Sequence, residues 1–241
     1  MPQVLTAPPA TRRPAASLLR PRRFLWLTAA LLPLCALLML LLDQPLARFC
    51  HAQLRAAEPF FSAFTAATDR AYEVGMKTRL LHLPALLLTL GLLYAVGRWR
   101  LNQPRAAVFL VVLLTHLASV GTSNVLKGVV RRLRPEVLFS TGYPDLGFRY
   151  LHAAHADSFP STHTATYFSL FVPLVLAFPR LRGPLLVLPV LIGLGRLVMG
   201  AHYLSDVLFS VWLVAAYTCL FGQLLRWPWL TGEEMPAALA S

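Results

Sequence analysis

The stretch FLWLTAALLPLCALLMLLL, Phe24 to Leu42, runs for nineteen residues without a charge. A helix needs about 20 residues to cross a hydrocarbon core of roughly 30 Å, so this segment reads as a membrane span. Arg12, Arg13, Arg20, Arg22 and Arg23 precede it, as basic residues precede a secretory leader. Two features argue against a leader. The apolar run is longer than a leader's core, and Asp43-Gln-Pro-Leu-Ala-Arg, which follows, offers no small-x-small cleavage site. Cys50 follows Arg48 and Phe49, which is wrong for a lipoprotein cleavage box. The segment is expected to stay as a first helix.

Working outward, residues 80–96, 106–126, 161–178, 183–201 and 203–225 are also apolar, which makes six expected spans. Continuous apolar runs favour helices, because each helix satisfies its own backbone in lipid, whereas a barrel strand would alternate. The expected fold class is all-α, a polytopic membrane helix bundle. Residues 1–23 read as a disordered basic tail, 24–225 as the six-helix domain and 226–241 as a short C-terminal tail. Pro84, Pro173 and Pro189 are expected inside spans, where neighbouring helices re-satisfy the freed groups. Residues 43–79 suit an amphipathic interfacial helix with Phe49, Leu54, Phe60, Phe61 and Phe64 toward lipid. Trp227 and Trp229 suit an aromatic belt. Cys35, Cys50 and Cys219 are too scattered for a disulfide framework and read as small apolar residues.

Composition agrees. Of 241 residues 57% are apolar and 13% charged, with a mean hydropathy of +0.60. Too little polar surface remains for an ordinary soluble enzyme, and disorder is excluded. The net charge of +12 would suit a nucleic-acid binder, but the basic residues lie between apolar runs, so no nucleic acid is expected as a partner. With both termini cytoplasmic, the basic residues divide eleven and eleven across the membrane. The arginines before the first helix favour that orientation all the same.

Ionisable residues at membrane depth mark function. Three clusters stand out: Lys127 to Arg134-Pro135; Ser158-Phe-Pro160-Ser161-Thr162-His163-Thr164; and Gly195-Arg196 to His202 and Asp206. The span count brings all three to one face of the membrane, in either orientation, so they are expected to share a pocket. Lys127, Arg134 and Arg196, with Arg131 and Arg132 near, suit an anion with several oxygens, because guanidinium forks match phosphate. Ser161 and the start of its helix add donors. The same field disfavours a metal, so neither metal nor cofactor is expected.

His202 and Asp206 are four apart and would share a helix face, the carboxylate fixing the imidazole tautomer so that the other nitrogen can attack phosphorus. His163 beside the anion site could protonate the departing oxygen. Each cluster alone has a plainer reading: a salt bridge, a topology anchor or a helix cap. Their convergence on one face is what favours chemistry. His116 and His82 have no such company and read as packed or interhelical hydrogen-bonding residues. His152, His155 and Asp157, in the loop before the second cluster, are candidates for headgroup contact, though the residues themselves favour no such role.

These residues resemble the type 2 phosphatidic acid phosphatase family, relatives of the vanadium haloperoxidases, whose signature is Lys-x6-Arg-Pro, Pro-Ser-x-His and Ser-Arg-x5-His-x3-Asp. The matching positions are Lys127, Arg134 and Pro135; Pro160, Ser161 and His163; Arg196, His202 and Asp206. Gly195 stands where the family usually has Ser, and Thr162 where Gly is commonest. The resemblance implies a metal-independent double displacement. His202 would form a phosphohistidine with Asp206 behind it, His163 would serve as acid and then base, and Lys127, Arg134, Ser161, Thr162 and Arg196 would line the phosphate site. It also implies a lipid substrate: phosphatidate, phosphatidylglycerol phosphate, undecaprenyl pyrophosphate or a lipid A phosphate. The expected place is the inner (plasma) membrane, with the active site extracytoplasmic. A lipid phosphotransferase could use the same clusters, and an anion transporter or scaffold is the non-enzyme alternative. Oligomeric state is not readable.

Overall fold

The computed structural model describes residues 21–80, 83–149 and 154–225. The tails, with Trp227 and Trp229, lie outside the described residues, as do His82 and His152. Nine α-helices are described: α1 Pro21–Leu41, α2 Asp43–Gln53, α3 Glu58–Lys77, α4 Ala85–Ala95, α5 Ala107–Val130, α6 Pro135–Thr141, α7 Thr162–Ala177, α8 Arg182–Val198 and α9 Leu204–Leu224. Helices α5, α7 and α9 pack on one another as a central trio. Around it, α1 lies on α9, α4 on α5, and α8 on α7, while α3 lies across α8.

Among the described residues, four helical segments are long and apolar enough to cross a membrane: α1, α5, Pro179–Val198 (α8 with its leading 3-10 turn) and α9. That marks an integral membrane protein. Large apolar side chains face outward, among them Leu25, Trp26, Val125, Val129 and Val187. In water such surface would be costly; in lipid it is the ordinary exterior. Val108, Val111 and Val112 of α5 pack instead against Ala177 and Cys219 in the interior.

The expected spans at 80–96 and 161–178 come out shorter. The chain first makes a small hairpin, β1 Arg79–Leu80 with β2 Leu83–Pro84. Pro84 is then the N-cap of α4 rather than an interior residue. Proline's fixed φ and missing N–H suit a helix start. After Ala95 a wider turn carries the helix to Arg100. Helix α7 has sixteen residues.

Residues 43–79 form two helices, α2 and α3, instead of one. Phe49, Leu54 and Phe60 are exposed as expected for a lipid-facing stripe. Phe61 turns the other way. A Cβ placed on Gly195 would sit 3.0 Å from Phe61 Cδ1, so the glycine at that position makes room for the α3 ring. Cys35, Cys50 and Cys219 are buried thiols without disulfides.

Candidate active site

Helix α5 carries Lys127 in its last turn and stops at Arg131, whose backbone is left-handed (φ 50°, ψ 52°). That conformation costs an L-residue about 1–2 kcal/mol. The turn leads Arg132 into the interior and leaves Arg134 as the N-cap of α6, ahead of Pro135. Ser161 caps α7: its hydroxyl accepts from the Thr164 N–H at 3.4 Å and from the Thr164 hydroxyl at 2.9 Å. Helix α8 ends at Val198, and the chain reverses through Gly200 at φ 63°. A Cβ there would meet Phe139 at 2.7 Å. His202 follows, just ahead of α9.

These turns converge on a cavity of about 440 Å³. Lys127, Arg134, Thr162, His163 and His202 line it, so all three sequence clusters contribute to one wall. Ser161, Arg196 and Asp206 are buried outside the wall. The buried atoms Arg134 Nε, Arg196 Nε and Thr162 Oγ1 have no hydrogen-bond partner among the described residues. Donors of that kind suit an incoming anion.

His202 is buried, and its Nδ1 lies 2.6 Å from the carbonyl oxygen of Ser158. A carbonyl only accepts, so Nδ1 carries the proton and Nε2 keeps its lone pair. Burial pushes the His202 pKa well below its ordinary value, and the charges of Arg196, Lys127 and Arg134 push the same way against the Ser158 carbonyl. The ring is therefore neutral, with its Nε2 lone pair available.

Asp206 does not do what the four-residue spacing suggested. Its Oδ2 is 3.9 Å from His202 Nδ1, too far for a hydrogen bond. His202 lies outside the helix, and Asp206 is committed elsewhere as the third residue of α9. Its Oδ2 accepts from the Tyr203 N–H at 2.9 Å and the Ser158 hydroxyl at 2.6 Å, and Oδ1 accepts from Arg132 at 2.7 Å. Asp206 therefore holds Ser158, and the Ser158 carbonyl holds His202.

Arg132 is likewise structural rather than a cation of the pocket. It is 1% exposed and bridges Asp206 to Asp43 of α2, 2.9 Å away, with its guanidinium 4.2 Å from the Tyr203 ring centroid. Burial works against its charge, and the two carboxylates more than offset this, raising its pKa. Asp43 also accepts from the Ser205 N–H and hydroxyl. No spacing pattern could reveal this network, because Asp43 is 89 residues from Arg132.

Asp157 stands between the two cations of the wall. Arg134 donates to its carboxylate at 2.7 Å, the Lys127 ammonium donates to its carbonyl oxygen, and Lys127 Nζ is 3.9 Å from its Oδ2. Burial raises the Asp157 pKa, but Arg134 and Lys127 outweigh it and hold the carboxyl below its ordinary value. The candidate headgroup residue His155 does not line the cavity; its Nδ1 lies 2.8 Å from Glu136, and it is 60% exposed. His116 is interhelical as expected, with Nε2 3.0 Å from the Tyr72 hydroxyl and Nδ1 2.9 Å from Ser169 Oγ.

His163 contrasts with His202. It is about one third exposed, and its Nε2 lies 3.0 Å from Asp69 Oδ2. Tyr72 and Tyr167 line the cavity and also a second, largely apolar cleft of about 210 Å³ with Gly75, Leu86, Leu170 and Phe171.

The chain is 31% identical over 105 residues to a lipid A 1-phosphatase of Rhizobium johnstonii, covering 42% of this chain and 43% of that protein. It is 36% identical over 86 residues to a lipid A 1-phosphatase of Rhizobium etli, covering 36% and 37%. The matched part thus spans less than half the length of these relatives. No solved structure matches the chain significantly. The sequence profile described as PAP2 superfamily matches residues 107–229, just over half of the chain and a range that takes in all three clusters, and the protein therefore belongs to the PAP2 superfamily.

Proposed function

We propose that this protein is an integral-membrane phosphatase that hydrolyses a phosphomonoester or pyrophosphate on a lipid through a phosphohistidine at His202. The observation that carries the reading is the placement of His202: buried, with Nδ1 spent on a carbonyl, on the same wall as Lys127 and Arg134. In the first step Nε2 bonds to phosphorus as the bond to the leaving oxygen breaks, and His163 gives that oxygen a proton. In the second, His163 takes a proton from water, the water oxygen bonds to phosphorus, and the P–N bond breaks to free inorganic phosphate. Lys127, Arg134 and Arg196, with Ser161 and Thr162 at the start of α7, stabilise the phosphoryl oxygens as charge shifts. No step calls for a metal.

The lipid part of the reading has its own support. The apolar cleft beside α3 shares Tyr72 and Tyr167 with the cavity, which suits a tail among Leu86, Leu170 and Phe171 with its phosphate near the cations. A lipid A phosphate heads the candidate substrates because both relatives bear that name. In this reading α4 and α7 complete six crossings, both termini are cytoplasmic, and the cavity opens on the extracytoplasmic face.

The test is a panel of purified lipid phosphates in detergent, assayed for released phosphate with and without EDTA and vanadate. Release from at least one lipid, insensitive to EDTA and blocked by vanadate, is the expected result. Strict dependence on Mg²⁺, or label passing into a new lipid instead of free phosphate, would overturn the hydrolytic mechanism.

A further inference from the structure

The nucleophile is held by Ser158 of the second cluster, but His163 is held by a residue far from all three clusters. Asp69 lies on α3, outside the three clusters and outside the matched range 107–229. Its Oδ2 is 3.0 Å from His163 Nε2, and its Oδ1 accepts from the Tyr167 hydroxyl at 2.8 Å. His163 and Tyr167 are four apart on α7 and so share a face. The carboxylate is gripped at both oxygens by one helix face, although it comes from another helix.

We propose that Asp69 is the positioning residue of a second histidine–carboxylate pair, which holds His163 as an imidazolium with Nδ1–H left for the leaving oxygen. The assignment rests on the phosphatase reading and adds to it the source of the acid. Among the described residues no protein group takes Nδ1, so Asp69 decides which nitrogen faces the cavity. When the P–O bond breaks, the electron pair stays on the leaving oxygen and the Nδ1 proton follows it. The ring that results is neutral, still bonded to Asp69, and ready to accept a proton from the attacking water.

A group that serves only as proton donor matters in proportion to how badly the leaving group needs a proton. The experiment therefore compares Asp69→Asn with wild type on two esters, an alkyl phosphate and 4-nitrophenyl phosphate, the latter releasing a stabilised phenolate. For Asp69→Asn, kcat on the alkyl ester should fall about a hundredfold, the low end of what a general acid supplies. On the nitrophenyl ester the fall should be far smaller, and Asp69→Glu should recover part of the alkyl activity. If Asp69→Asn does not fold, Tyr167→Phe, which removes one of the two bonds on the carboxylate, should give a smaller loss with the same bias. Equal losses on both esters, or no loss on the alkyl ester, would overturn the assignment. A wild type silent on both esters and on every lipid would instead overturn the phosphatase reading, and Asp69's role with it.

Discussion

His202 and His163 face one cavity and yet are built on opposite principles. His202 is 2% exposed and leans on a neutral carbonyl; His163 is about one third exposed and leans on a carboxylate. A buried ring among cations, bonded to a group that cannot give up a proton, is kept neutral with a lone pair on Nε2. The His163 ring, by contrast, is open to the cavity and bonded to the Asp69 carboxylate. These two settings suit the roles proposed above, nucleophile for His202 and acid for His163.

The largest effect that could break this contrast is loss of the nucleophile. His202→Ala should lower turnover by about 10⁴-fold or more and abolish any acid-labile phosphoenzyme. His163→Ala should slow alkyl phosphates by about 10²- to 10⁴-fold, while a labelled phosphoenzyme still forms from 4-nitrophenyl phosphate. If His202→Ala retained a phosphoenzyme, or His163→Ala lost it, the roles would be reversed.

The two surroundings also differ in what they contribute to the fold. Arg132→Met leaves Asp43 and Asp206 buried without their shared cation and should destabilise the protein by about 3–5 kcal/mol. Thermal unfolding in detergent would show it. Around the half-open His163–Asp69 pair, Asp69→Asn should cost far less, because solvent screens that site.

Acid should act on the two sides in separate windows. His202 has a folded pKa well below its ordinary 6.5, so the unfolded chain binds a proton that the folded chain refuses. Stability should therefore fall as pH drops below about 6.5, with the slope persisting until the folded pKa is reached. Burial tends to raise the Asp69 pKa, but the hydrogen bond and charge of His163 outweigh it and hold the carboxyl below its ordinary 3.8. Its contribution is intact above 3.8 and lost only as pH falls through the lower, folded value. Unfolding followed against pH should show the histidine window first. His202→Gln should flatten it, and a histidine window that survives that change would count against a neutral buried ring.

The smallest expected effect concerns Asp157. It occupies the side of Lys127 and Arg134 that a phosphate would use, and its side chain is 46% exposed. Asp157→Asn removes a competing anion and should lower KM and strengthen vanadate inhibition by up to about fivefold, within the range of an exposed ion pair. A raised KM would mean that the carboxylate assists binding instead.

Much of this protein is legible in the sequence, and for definite reasons. Lipid demands long apolar helices, so residues 24–42 and their counterparts declare a membrane protein by their length and composition alone. Chemistry on phosphate needs cations, a nucleophile and an acid, so Lys127, Arg134, His163 and His202 mark a candidate site, and they line one cavity. Those patterns are local or periodic, and a single chain displays them. Tertiary structure decided which partners the ionisable groups take. Asp206, four residues from His202, turned to Arg132 and Ser158. Asp69 and Asp43, in a stretch that reads only as an interfacial amphipathic helix, became the partners of His163 and Arg132. A buried charge takes whichever counter-charge folding brings within about 3 Å, and that distance bears no relation to separation along the chain.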